Sequence, residues 1–265
     1  MNILLGINEK HFGIRPKELI KLIEVYDAAK VIKGIELSVE VDKPNYEYAF
    51  ELAKLCQENN FILNIHSPIF EGFDKADSFL KTINQLADIM GNKINIVMHL
   101  LNDTKEHLRI ADSYLKYLLT RIKEHNYNLL ISIENLSQKA LNKKELTPFF
   151  EKYPELRFTY DIGHEYVEDL DYYELSEILT ERLNNFHIHS YQGDVDHHPI
   201  TEKDIPFLEK FLKIVDETNF SKMVVLEYST DFIPGKDMEE KLIKFIKYAN
   251  LFIKIINEIN ERKKI

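Results

Sequence analysis

Cysteine is nearly absent: Cys56 is the only one in 265 residues. That excludes an intramolecular disulfide and a zinc site built from thiolates. Cys56 lies in Phe50-Glu51-Leu52-Ala53-Lys54-Leu55-Cys56, an amphipathic helix pattern in which a cysteine serves as a small buried apolar group. Long apolar runs are missing too, and none approaches the length needed to span a bilayer. The opening Met1-Asn2-Ile3-Leu4-Leu5-Gly6 has no basic leader and no long apolar stretch. It reads as a first strand rather than a signal peptide, and a cytoplasmic location is expected. No Gly/Pro/Ser-rich linker interrupts the chain, so one domain over residues 1–265 is expected. An excess of basic charge is also lacking. The formal net charge of −10 gives no general attraction to nucleic acid or anionic membrane, which leaves a local basic groove as the only route to the former.

What is present is alternation. Short apolar runs, often rich in Ile, Val or Phe, occupy Ile3–Asn8, Gly34–Glu40, Phe61–Ser67, Ile94–Leu100, Leu129–Asn135, Arg157–Asp161, Phe186–Ser190 and Met223–Tyr228. Their length and flanking residues predict strands. Between them, helical periodicity covers Pro16–Lys30, Pro44–Asn59, Asp74–Met90, Thr104–Asn126, Asn142–Lys152, Asp169–Leu183, Asp204–Thr218 and Lys236–Arg262. The strands begin roughly 27 to 37 residues apart, the size of one βα unit. Eight such units predict an α/β fold of the single (β/α)8 TIM-barrel type, with a doubly wound sheet as the rival. The last helix carries apolar Leu242, Phe245, Ile246, Leu251 and Ile255, which suits barrel packing and leaves a homo-oligomer interface open.

The strands share an ending. Ile65-His66, Met98-His99, Ile133-Glu134, Tyr160-Asp161-Ile162-Gly163-His164, Phe186-His187-Ile188-His189, Asp196-His197-His198 and Leu226-Glu227 each close an apolar run with potential ligands. Singly, each has a plain structural explanation: His66 as a turn residue before Pro68, His99 as a core histidine, Asp161 and His164 as a pair capping a turn, Asp196-His197-His198 as a solvated loop. Together they are biased. Seven of the ten histidines sit at or just after strand ends, whereas His11, His107 and His125 fit no pattern. Alternation sends Ser132/Glu134, Thr159/Asp161 and Asn185/His187/His189 to one side of the sheet together. In a barrel clad by helices that side is the interior, and strand ends there form the C-terminal rim, where barrel active sites sit. Mixed carboxylate and imidazole donors without sulfur suit Mn²⁺, Co²⁺, Fe²⁺ or Zn²⁺, and a His-rich subset of His66, His99, His164 and His198 favours Zn²⁺.

The order Glu134, Asp161-x-x-His164, His187, Asp196-x-His198, Glu227, preceded by His66 and His99, resembles the xylose-isomerase-like TIM-barrel superfamily from first strand to last. That group includes sugar-phosphate isomerases, ketose 3-epimerases and endonuclease IV. The resemblance implies a single metal held by Glu134, Asp161, His187 and Glu227. In the endonuclease arrangement it implies further zinc ligands at His66, His99, His164, Asp196 and His198. The chain departs from the endonuclease pattern in three places: Ile162-Gly163 stand where Thr-Cys is characteristic, Asn135-Leu136-Ser137-Gln138-Lys139 replaces a Gly-rich stretch, and Pro199-Ile200 follows His198 in place of Gly-x-Gly. In strand seven, His187 is preferred to His189 because its spacing to Asp196 and His198 fits the pattern. The expectation is therefore a metal-dependent isomerase or epimerase acting on a small carbohydrate, with Glu134 and Glu227 exchanging protons. The alternatives are an endonuclease IV-type zinc phosphodiesterase acting on DNA, and a catalytically idle metabolite-binding barrel. The loops Glu71-Gly72-Phe73-Asp74-Lys75 and Asp194-Val195-Asp196 are not basic, which speaks against phosphate contacts.

Overall fold

The computed structural model describes residues 1–8, 13–26, 30–39, 45–67, 73–100, 105–136, 143–166, 175–193 and 195–263, without the side chains of 105–107 and 165–166. His11, Pro68, Glu71-Gly72, Ser137-Gln138-Lys139, Asp194 and the His107 side chain lie outside the described residues. So does part of the helix expected over Asp169–Leu183.

Eight parallel strands close into a barrel. They are β1 (Asn2–Asn8), β2 (Ile32–Ser38), β3 (Ile62–His66), β4 (Ile94–His99), β5 (Leu129–Glu134), β6 (Arg157–Asp161), β7 (Leu183–Ile188) and β10 (Met223–Leu226). Their order around the barrel is β1-β10-β7-β6-β5-β4-β3-β2. The expected TIM barrel is the observed fold. Helices α1 (Pro16–Val25), α2 (Tyr46–Glu58), α3 (Phe73–Met90), α4 (Lys105–Glu124), α5 (Lys143–Lys152), α7 (Glu177–Arg182), α8 (Ile205–Glu217) and α9 (Met238–Arg262) follow their strands, and a single turn, α6 (Gly163–Tyr166), follows β6 directly. No helix among the described residues is long and apolar enough to cross a membrane.

Local chemistry sets the helix starts. Pro16 opens α1, where its missing N–H costs nothing. Asn45 Oδ1 accepts from Tyr48 N at 3.0 Å and Asp237 Oδ1 from Glu240 N at 2.8 Å, satisfying orphan donors of α2 and α9. The apolar faces then pack onto the barrel. Leu242, Phe245, Ile246 and Ile255 of α9 are buried and Leu251 is half-buried, so the apolar stripe of this helix is spent on packing. Cys56 is wholly buried in α2, as its pattern predicts.

Strand alternation divides the sheet. Ile131, Ile133, Phe158, Tyr160, Phe186 and Ile188 belong to the apolar layer under the helices. The intervening residues turn inward and are polar: Ser132 bonds Asn95, Thr159 Oγ1 donates to Asn185 Oδ1 at 2.7 Å, and Asn64 Nδ2 donates to Glu36 Oε2 at 3.2 Å. These buried pairs form a floor beneath the strand ends. The register then sets His99 beside Glu134 and Asp161 beside His187.

Two of the differences from expectation bear on the rim. Strand seven begins at Leu183, because the polar Asn184-Asn185 conceals its start. A small antiparallel hairpin, β8 (Ser190–Gln192) and β9 (Val195–His198), rises from the rim where the sequence reads as loop.

Gly34 permits close packing of β2 on β3, since a Cβ there would run into the Ile62 backbone carbonyl. Gly34→Ala is expected to cost about 1–3 kcal/mol in chemical denaturation. Unchanged stability would contradict this packing.

Candidate metal centre

His66, His99, Glu134, Asp161 and His187 stand on the last turns of β3 to β7, and Glu227 follows β10. His187 sits at the centre. It is fully buried, with Nε2 2.8 Å from Glu36 Oε1, and Nδ1 3.2 Å from Glu134 Oε1 and 3.1 Å from Glu227 Oε2. Glu134 extends the cluster, its Oε2 lying 3.2 Å from His66 Nε2 and 2.9 Å from His99 Nε2.

Asp161 is clamped through its backbone. Asn135 Nδ2 donates to Asp161 O at 2.8 Å, and Asp161 N donates to Asn135 Oδ1 at 2.9 Å. Its Oδ1 accepts from His164 N at 3.0 Å. Asn135 directly follows Glu134, so one loop orients two of the acidic groups.

The donors fit a divalent cation. One ligand atom each from Glu134, Asp161, His187 and Glu227 lies within 4.8 Å of the others. Glu134 Oε1 and Asp161 Oδ2 are buried without an aligned hydrogen bond, although charged neighbours are near. Lone pairs that converge on a common space rather than on protons are what a metal ion satisfies, and the mixed O/N set suits an ion of intermediate hardness. His66, His99 and Glu134 form an adjoining group, and Glu36, His66 and His187 another.

Charge coupling is strong. Burial alone would raise the Glu134 carboxyl, but His187 and His99 hold it well below the usual carboxylate range. Glu227 is held low in the same way, chiefly by His187. Burial alone would lower the His187 imidazole, but Glu134, Glu36 and Glu227 raise it well above the ordinary value. His66 is raised to about 9 against the same desolvation, chiefly by Glu134.

The other residues of the expected outer set divide. His164 is buried beside Asp161, with Nδ1 3.1 Å from Asn135 O. His198 turns away and stacks on Phe232 with ring centroids 3.9 Å apart. His197 takes the inward place, its Nδ1 2.9 Å from Asp196 Oδ1 and its Nε2 3.7 Å from Glu227 Oε2. Among the described residues, Asp196 reaches toward the centre through its ion pair with His197. His197 has a left-handed backbone, φ 60, and the hairpin register shifts between Ser190 and Gln192. A one-residue change of register exchanges the faces of neighbouring side chains. His189, the other inward histidine of strand seven, joins His164 and His197 in a third group.

Two residues escape the sequence pattern. Glu36 is a lone charge within Gly34-Ile35-Glu36-Leu37-Ser38, on the inward parity of Gly34 and Ser38, and that isolation is its only signal. His197 has none beyond its neighbours. Beside the cluster is a cavity of about 330 Å³, bordered by Asn8, Ser38, His197, Glu227, Ser229 and Thr230 among others.

In metal-free protein the raised His66 contributes stability fully below about pH 6.5 and loses it as pH climbs through about 9. Glu134, being depressed, contributes above about pH 4.5. The melting temperature of chelator-treated protein should therefore fall between pH 6.5 and 9. Added Mn²⁺ should reverse the slope, because ligation needs unprotonated imidazole. A flat metal-free profile would contradict this electrostatic account.

The family described as xylose isomerase-like TIM barrel matches residues 25–249. No curated protein matches the chain in sequence. Solved structures similar to it include L-ribulose 3-epimerase, at 14% identity over 98% of this chain and 96% of that one, with a TM-score of 0.67. The probable 3-DHS dehydratase AsbF of Bacillus anthracis, involved in petrobactin synthesis, aligns at 13% identity over 94% and 99%, with a TM-score of 0.66. SacUVDE aligns at 14% over 95% and 99%, with a TM-score of 0.57. At such identities the likeness is one of fold.

Proposed function

The chain belongs to the xylose isomerase-like TIM barrel family, and from that premise we propose that it is a divalent-metal-dependent isomerase or epimerase of a small sugar or sugar phosphate. The observation that carries this reading is the convergence of Glu134, Asp161, His187 and Glu227 at the edge of a cavity into which Glu227 opens. Those four residues would hold Mn²⁺, Co²⁺ or Zn²⁺. When bound, the ion supplies positive charge to adjacent carbonyl and hydroxyl oxygens, stabilising the negative charge that develops when the neighbouring C–H is deprotonated.

The protein's own groups do the rest. The Glu227 side chain is 22% exposed and lines the cavity, whereas Glu134 is 1% exposed and braced by His66 and His99. In this reading the two carboxylates flank the reacting carbon, one removing the proton and the other returning one. The surrounding imidazoles hold both ionised, so the one that removes the proton is ready to do so. The proton that the other returns must first reach it from a neighbouring imidazolium or from solvent. Asn8, Ser38, Ser229 and Thr230 offer amide and hydroxyl groups, the natural partners of a polyol. The comparison with L-ribulose 3-epimerase supports the same direction at the level of fold.

A second reading, a zinc-dependent phosphodiesterase of the endonuclease IV type, draws on the adjoining His66, His99 and Glu134 group, whose ligand atoms also lie within 4.8 Å of one another. It predicts zinc-dependent cleavage of an abasic duplex.

Glu227→Gln should leave far-UV circular dichroism unchanged and reduce turnover about 10²–10⁴-fold. The assay is deuterium incorporation at the carbon beside the carbonyl, across a panel of ketoses in D₂O with Mn²⁺. Near-normal exchange in the variant would sink the assignment of Glu227.

A further inference from the structure

His189 stands two residues beyond His187 on the same inward face, and nothing in the proposed chemistry uses it. With His164 and His197 it offers three imidazole nitrogens within 4.8 Å, which invites a further ion. The hydrogen bonds argue for a different role. The backbone N–H of His197 donates to His189 Nδ1 at 3.1 Å. The other neighbour of Nδ1 is the Ser190 carbonyl, at 3.4 Å the edge of hydrogen-bond range. A main-chain N–H can only donate, so the closer contact assigns the Nδ1 lone pair to it. A neutral imidazole carries one proton, which then resides on Nε2. A protonated Nε2 is not a metal ligand.

That nitrogen lies 3.3 Å from Asp161 Oδ2 in a pair wholly closed to solvent, a charge contact short of an aligned hydrogen bond. Neither atom has a hydrogen-bond partner among the described residues. The other nitrogen near this oxygen, His164 Nδ1 at 3.4 Å, lies closer to Asn135 O, at 3.1 Å. Asp161 Oδ1 already accepts the His164 N–H. The His197 ring stacks on His189, centroids 4.4 Å apart and 10° from parallel, and fixes the ring plane. Space for the ring comes from Gly163, where an added Cβ would stand 2.5 Å from His189 Nε2.

We infer that His189 is a positioning residue that presents an Nε2 proton to Asp161 and orients this carboxylate in the metal centre, and that Gly163 is required to admit it. The inference rests on the metal-centre reading above for its consequence, but not for its geometry. Outer partners of metal ligands typically change affinity by about 10–100-fold when removed.

Two measurements on the full chain test it. Long-range ¹H–¹⁵N spectra, with His189 identified by its loss in His189→Gln, should show Nε2 protonated and Nδ1 bare, and the Nε2 proton should survive Zn²⁺ saturation. Mn²⁺ binding followed by electron paramagnetic resonance should weaken about 10–100-fold in His189→Ala. Gly163→Ala should weaken it similarly. His189→Gln, which keeps an N–H at the reach of Nε2, should recover most of the affinity, a rescue that a purely space-filling role would not give. Protonation on Nδ1, loss of the Nε2 proton to Zn²⁺, wild-type affinity in His189→Ala, or a Gln variant no better than Ala would each overturn the inference. Wild-type protein that takes up no Mn²⁺ would remove the metal-centre reading, while the tautomer would still decide the assignment of His189.

Discussion

His187 holds three carboxylates in one place. Glu36 faces one ring nitrogen, and Glu134 and Glu227 face the other, all within 3.2 Å. Gathering that much negative charge out of water is costly unless it is neutralised. The imidazoles of His187, His66 and His99 do so in part, and a divalent cation would do so more fully. The mouth of the barrel follows from this requirement. Carboxylates held ionised next to a cavity are poised to bind a metal.

The surrounding chain is arranged to keep that cluster rigid. Below it, the buried pairs Asn64–Glu36, Asn95–Ser132 and Thr159–Asn185 replace an apolar barrel interior with directional bonds. Asn135 ties the loop after β5 to the backbone of Asp161. Outside, Ile131, Ile133, Phe158, Tyr160, Phe186 and Ile188 anchor the same strands to the helices. Each strand therefore has one face that stabilises and one that carries chemistry. Period-2 geometry and barrel closure then bring distant residues such as Glu36 and Glu227 together.

Much of this arrangement is legible in the order of the amino acids. Alternating apolar runs mark the eight barrel strands, and parity alone sends Glu134, Asp161 and His187 inward together. What escapes does so for physical reasons. Glu36 lies in a strand whose other residues are mostly apolar or small, so a single charge makes no pattern. The hairpin after β7 is short, and the face that each of its residues presents depends on a register shift and a left-handed residue, φ 60 at His197. Spacing therefore puts His198 among the ligands, whereas the structure turns it onto Phe232 and brings His197 to Glu227. The role of His189 is hidden for a related reason. It depends on one backbone N–H and on the missing side chain of Gly163, and no spacing rule records either.

The central claim is that the four converging residues are a metal site. Anomalous diffraction from crystals grown with Mn²⁺ tests it most directly. The account predicts a strong peak bonded to Glu134, Asp161, His187 and Glu227 together. A map with no peak among those four residues, and with His187 still paired to its carboxylates, would contradict it.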